Sequence, residues 1–392
     1  MIQGGFELPL DVLRARRNAK WVRYAPDVLP AWVAEMDFAV AYPIRRAIAR
    51  VTNEQEFGYP MRNGAGAERA LGEAFVRRMT ARFGWTPDVA LCEALTDLVQ
   101  GQFATIWAFS EPGDGIILHL PAYPPFHMAI NETGRKLLAN RMFDNGERFE
   151  IDFEDMEALA KQSRIIMLCN PQNPTGRALT RAELTRIGQI AIEHDLVIVS
   201  DEIHSDLMFD DNVHIPMAMI SPEVAARTVT ITSATKGFNI PGLRCAVMHF
   251  GSAELQARFR ARFPAHMLGA PGIIGIDATI AAWDEGQPWL DGVLKVLQAN
   301  RDRMAEVIAA EMPGVVFRKP EATYLGWLDC SGLALPTNGH DFFVERAKVA
   351  LSAGQVFDPN CEKHVRFNFA TSPAILEEIL GRMVKALRSH NG

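Results

Sequence analysis

The chain has 392 residues, 48% of them hydrophobic and 22% charged, and a formal net charge of −7. That length exceeds one ordinary core and points to two domains of a folded, globular protein. The net negative charge argues against nucleic acid or an anionic membrane as partner, because either needs a basic surface. In chain order, Ala70, Leu71, Ala74, Phe75 and Met79 recur on one face of an expected helix. Short apolar runs follow at Gly115–Leu120, Arg164–Cys169, Leu196–Ser200, Thr228–Thr232 and Cys245–Phe250. Such runs between amphipathic stretches read as buried strands of a mainly parallel sheet wrapped by helices. Between the second and third, Thr180 and Glu183 form a capping box ahead of Leu184, Ile187 and Ala191. Beyond about residue 280 the texture changes to a long helix through Val293, Leu297, Arg301 and Val307. Strands are expected at Val315–Arg318, Thr323–Leu328 and Val365–Asn368, then a last helix from Ile375 to Leu387. The reading is an α/β chain, with a large domain over residues 48–280 and a smaller α+β domain from residues 1–47 and 281–392.

Five widely spaced cysteines without a C-x-x-C pair point to neither a disulfide framework nor a zinc site. The start Met1-Ile2-Gln3-Gly4-Gly5 lacks a secretory pattern, and no run reaches the roughly 18 apolar residues of a membrane span. The expected location is the cytoplasm, and no metal is expected.

The chemistry gathers at three strand ends. Ser233-Ala234-Thr235-Lys236-Gly237 follows one apolar run, and a lysine there is odd as structure because burying its charge is costly. Burial and the nearby Arg244 would lower its pKa, which suits a nucleophilic amine and proton carrier. Ser233, Thr235 and Arg244 supply two hydroxyls and a guanidinium, good ligands for a phosphate dianion. Asn170-Pro171-Gln172-Asn173 and Ser200-Asp201-Glu202-Ile203-His204 close the two preceding strands. In an open parallel sheet ligands gather at carboxyl strand ends, so Asn173, Asp201 and Lys236 converge. Pyridoxal phosphate needs such a set: an amine, a carboxylate against its ring nitrogen, and a donor near its 3-hydroxyl, for which Asn173 and His204 are candidates.

The ordered set resembles fold-type I pyridoxal-phosphate enzymes, the class I/II aminotransferase superfamily. Closest in pattern are the cystathionine β-lyases (C–S lyases) of the MalY/PatB kind. The segments that carry this are Trp32-Val33-Ala34-Glu35-Met36-Asp37-Phe38, Phe57-Gly58-Tyr59, Pro121-Ala122-Tyr123, Asp201 to Leu207, Phe238 to Leu243, and Val365 to Ala370. The resemblance implies the aspartate-aminotransferase fold, with Lys236, Asp201 and Tyr123 catalytic and Tyr123 lying against the cofactor ring. It implies that Gly101 and Gln102, in a turn opening a helix, serve the phosphate with Ser233, Thr235 and Arg244. It also implies that Arg366, with Ala34 and Asn173, receives the substrate carboxylate. Tyr59 would reach the neighbouring subunit's phosphate, making a homodimer with shared sites. His204 stands where transaminases carry a tyrosine, in keeping with the lyases, whereas Arg244 is typical of transaminases. The resemblance therefore implies a C–S β-lyase acting on a cysteine-type amino acid, with an aminotransferase as the alternative. A regulatory pyridoxal-phosphate protein and a nucleotide-binding α/β protein are the readings from other classes. Lys236, Asp201 and Arg366 weigh against the first, and the lack of a Gly-rich fingerprint after the first strand against the second.

Overall fold

The computed structural model describes residues 6–264 and 267–391. After strand β1 (Leu29–Pro30) come helices α1 (Tyr42–Asn53) and α2 (Ala67–Phe83). Helix α2 buries Leu71, Ala74, Phe75 and Met79, as their spacing predicts. The middle of the chain then alternates. Its elements are β2 (Cys92–Leu95), α3 (Leu98–Phe109), β3 (Gly115–Leu120), α4 (Pro124–Glu132), β4 (Lys136–Arg141), β5 (Ser163–Cys169), α5 (Arg181–Glu193), β6 (Val197–Asp201), β7 (Thr228–Thr232) and β8 (Ala246–Phe250).

These strands form one seven-stranded sheet in the order β2-β8-β7-β6-β5-β3-β4. Only β8 runs against the rest. Strands β3, β6, β7 and β8 are buried along their whole length, which is why they read as unbroken apolar runs. The edge strands β2 and β4 carry no such run. Their burial is partial and their residues mixed, so the sequence reading passed over both. The capping box of α5 is present: Thr180 Oγ1 accepts from Glu183 N at 3.2 Å, and Glu183 Oε2 accepts from Thr180 N at 2.7 Å.

The chain then enters α6 (Ile273–Glu285) and the 25-residue α7 (Gln287–Glu311). Arg301, read as part of a helical face, is buried in α7 and gripped by Asp210 through both carboxylate oxygens, at 2.7 and 2.9 Å. A second sheet follows from β9 (Val316–Phe317), β10 (Leu325–Asp329), β12 (Ser352–Ala353) and β13 (His364–Asn368), antiparallel in the order β9-β10-β13-β12. Strand β11 (Val349–Ala350) pairs with β1 instead, so the N-terminal segment packs onto the C-terminal part of the chain. Helix α8 (Pro373–Asn391) closes the fold. Residues 48 and 281, the expected domain bounds, fall inside α1 and α6, which run unbroken across them. No helix among the described residues is long and apolar enough to cross a membrane.

Candidate active site

Lys236 sits four residues beyond the end of β7, in a loop pinned by its own side chains. Ser233 Oγ donates to the Cys245 carbonyl at 2.6 Å and lies 3.0 Å from Thr235 Oγ1. Asn239 then ties the loop to the segment at residues 32–38. Its Oδ1 accepts from Met36 N at 2.9 Å, and its Nδ2 donates to the carbonyls of Met36 and Phe38. The far side of that segment is held by Asn368 Nδ2, which donates to the carbonyls of Val33 and Glu35. A buried Lys20–Asp37 ion pair of 2.7 Å, unforeseen in the sequence, fixes its end. Two motifs some 200 residues apart thus become one wall of a cavity.

Against that wall Lys236 Nζ donates to the Ala34 carbonyl at 2.9 Å, and the Tyr324 hydroxyl donates to the same carbonyl at 3.0 Å. Burial, and then the Arg366 guanidinium, push the Lys236 pKa down to about 8. Its amine is therefore far easier to deprotonate than an exposed lysine. Asp201, the last residue of β6, is buried and accepts from Ile203 N and from Gln102 Nε2, each at 3.1 Å. Both donors are neutral. Burial raises its pKa to about 7, so this carboxylate lacks the cationic partner that would stabilise its charge. His204 is buried and held neutral, its pKa pushed down to about 3 by burial and then by Lys236. Its Nδ1 has no hydrogen-bond partner among the described residues.

Arg366, from β13, adjoins the cavity through Asn173, one of its lining residues. Its Nη1 donates to Asn173 Oδ1 at 3.0 Å and its Nη2 to the Trp32 carbonyl at 2.8 Å. The guanidinium lies over the Phe357 ring, 4.7 Å from its centre. No carboxylate among the described residues neutralises it, and burial lowers its pKa to about 10. A buried cation with only neutral partners is a ready receiver for a carboxylate. Tyr123, immediately before α4, lines the same cavity, and burial raises its pKa.

The end of the cavity nearest α3 has the features of a phosphate cradle. Thr96, Asp97, Leu98, Val99, Ser233, Thr235 and Arg244 line it. By helix geometry the first N–H groups of α3, at Leu98 and Val99, have no acceptor within the helix and carry its positive dipole end. Here the structure corrects the sequence reading. Gly101 is buried one turn further on, facing the sheet, where a Cβ would stand 2.8 Å from Leu95 and 3.3 Å from Ile231. Its N–H already bonds the Asp97 carbonyl. Close packing, and not anion binding, accounts for that glycine. Gln102 lines the cavity, and its side-chain Nε2 donates to Asp201. Asp97, Tyr324 and Ser352 are site residues that the sequence reading missed. Asp97 was legible in principle, since an aspartate directly before an apolar helical run is a cap signal.

Tyr59 does not reach this cavity. It is 100% exposed, flanked by Phe57 and Met61, both exposed as well. The cavity measures about 760 Å³ out to its open mouth. Its residues fit pyridoxal phosphate: an amine of lowered pKa, a buried carboxylate short of a cationic N–H donor, and a helix N-terminus with hydroxyls and a guanidinium for the phosphate.

The aminotransferase class I and II family profile matches residues 94–383. The chain belongs to that family. The cystathionine β-lyase PatB of Bacillus subtilis is 32% identical to it over 92% of this chain and 93% of that protein. Among solved structures, OvoB is 36% identical with a TM-score of 0.90, over 96% of this chain and 97% of the other. A PLP-dependent β-cystathionase of Corynebacterium diphtheriae, so named provisionally, is 31% identical with a TM-score of 0.92, over 98% and 99% of the two chains. The expected family and fold are borne out.

Proposed function

We propose that the protein is a pyridoxal-phosphate-dependent C–S β-lyase that eliminates a thiol from a cysteine-type amino acid, yielding pyruvate and ammonia. The observation that carries this is one cavity lined by Lys236 and Asp201, with Arg366 bonded to its lining residue Asn173. The full-length similarity to PatB and to the Corynebacterium diphtheriae protein supports elimination over amino-group transfer. Bound in this cavity, pyridoxal phosphate supplies an aldehyde that condenses with amines and a ring that draws electrons from the substrate's α-carbon.

The chain's residues supply the rest. Arg366 holds the substrate carboxylate, its orientation fixed by Asn173, the Trp32 carbonyl and the face of Phe357. Lys236, with its lowered pKa, takes the α-proton as general base, and the Ala34 carbonyl receives the resulting ammonium. Asp201 would keep a proton on the cofactor's ring nitrogen, and neutral His204 and Asn173 would serve its 3-hydroxyl. Ser233, Thr235, Arg244 and the α3 N-terminus hold the phosphate. Tyr123, which lines the cavity, would offer its ring face to the cofactor ring. Among the described residues, the cations that line the cavity or bond its Asn173 are Lys236, Arg244 and Arg366, all already assigned. None is left beside them for a short acidic side chain, so aspartate and glutamate are not the favoured substrates.

Product analysis tests this. With cystathionine and a panel of S-substituted cysteines, pyruvate release is expected to outpace keto-acid exchange. Faster exchange for every compound would make the enzyme an aminotransferase. Arg366→Ala is expected to cost roughly 2–5 kcal/mol, seen mainly in KM, because a buried charge pair is lost. An unchanged KM would assign the carboxylate to another group.

Tyr59 supports a shared site in a homodimer. The base of its loop is anchored by Arg62 to Asp277 at 2.6 Å, which leaves the ring facing outward beside Phe57 and Met61. Such an exposed apolar stretch marks a contact surface. Mixing impaired Tyr59→Ala and Lys236→Ala subunits is expected to restore part of the activity, because one hybrid site is intact. A monomer by sedimentation, with no restoration, would refute the arrangement.

A further inference from the structure

Asp97 does two things at once. One carboxylate oxygen caps α3 by accepting from Gln100 N at 2.8 Å, and the other forms an ion pair with Arg244. Both residues line the end of the cavity that holds Ser233 and Thr235. A carboxylate beside an anion cradle is electrostatically adverse, because like charges disfavour each other's ionised forms. Capping does not require that charge, since asparagine, serine or threonine caps as well. Arg244 is also unusual, adopting φ +48, a left-handed conformation better suited to glycine or asparagine. Such a residue persists where its surroundings over-determine it. The ion pair with Asp97 is one interaction that holds it there.

We propose that Asp97 and Arg244 form one charge-balanced unit at the phosphate end of the cavity, in which Arg244 first cancels Asp97 and only then attracts the phosphate. The proposal rests on the cofactor reading above and adds to it a residue that sets cofactor affinity from within the cradle. In this arrangement Asp97 lowers the hold on the phosphate below what the hydroxyls, helix end and guanidinium would give alone. Arg244 counts for more than its own phosphate contact, because without it an uncompensated carboxylate faces a dianion.

The test is a double-variant cycle on the cofactor-free, full-length protein, measuring binding of pyridoxal phosphate and of pyridoxal by equilibrium dialysis. Arg244→Ala is expected to weaken pyridoxal phosphate binding by roughly 10–100-fold, as for a hydrogen-bonded charge. Asp97→Asn keeps the cap and is expected to tighten binding in both backgrounds. It should recover about 5-fold or more when added to Arg244→Ala, the upper range of a partly exposed charge pair. Pyridoxal, which lacks the phosphate, should bind the four proteins alike. Circular dichroism checks the fold, and Arg244→Gln replaces alanine if that variant unfolds. Weaker phosphate-ester binding by Asp97→Asn, strictly additive effects, or equal changes for pyridoxal would overturn the proposal. If the wild type binds pyridoxal but gains nothing from the phosphate, the cradle assignment falls and the proposal with it. If it binds neither ligand, the cofactor reading itself has failed.

Discussion

Asp201→Asn is expected to fold and to bind the cofactor, yet lose roughly three orders of magnitude in turnover, about 4 kcal/mol of barrier. The fold survives because the local hydrogen bonds can be rebuilt. Ile203 N can still donate to the amide oxygen, and Gln102, whose Oε1 has no partner, can turn that oxygen toward the new amide nitrogen. Turnover falls because a neutral amide cannot keep the ring nitrogen protonated, and the electron sink weakens. A control on the cofactor-free protein comes from pH. The Asp201 pKa is raised to about 7, from an unfolded value near 4, so its protonated form favours the folded state. That stability is fully present below about pH 4 and lost as pH rises through about 7. The wild type should therefore lose up to about 4 kcal/mol relative to the asparagine variant between these limits. Denaturant unfolding at pH 4.5 and 8 measures the difference. Near-normal turnover in Asp201→Asn would assign the ring nitrogen to another group.

Lys236→Ala is expected to lose at least about four orders of magnitude, the upper range for removing a positioned general base. Among the described residues, no nearby group is suited to replace it. His204 is held neutral with its pKa near 3, and Tyr123 and Tyr324 are both raised above the ordinary phenol range by burial. The Ala34 carbonyl would keep its hydrogen bond from Tyr324, so the cavity wall should hold. A variant that folds and still turns over within tenfold of wild type would place the proton transfer elsewhere.

The contrast between legible and illegible features has a physical cause. Strands β3 and β6 are covered on both faces, so their sequences had to be apolar throughout and announced themselves. Strand β4, at the sheet edge with sequence KLLANR, is half-covered and gave no such signal. The strand-end rule brought Asn173, Asp201 and Lys236 together because parallel topology alone dictates it. Gly101 was misread because a glycine opening a helix suits an anion as well as it suits a sheet, and only the distance to Leu95 decides between them. The contacts of Arg366 with Trp32, and of Asn239 with Met36, join residues more than 200 positions apart. No local pattern encodes such pairs. The ion pair of Asp97 with Arg244, 147 positions apart, is of the same kind.

Lys236 Nζ is the one atom expected to join the cofactor's aldehyde. Reducing the pyridoxal-phosphate-loaded protein with borohydride and mapping its peptides by mass tests that atom directly. The expected result is a single phosphopyridoxyl group on the peptide that contains Lys236, absent from the Lys236→Ala variant treated in the same way. A label on another lysine, such as the buried Lys20, or no label on the loaded wild type, would contradict it.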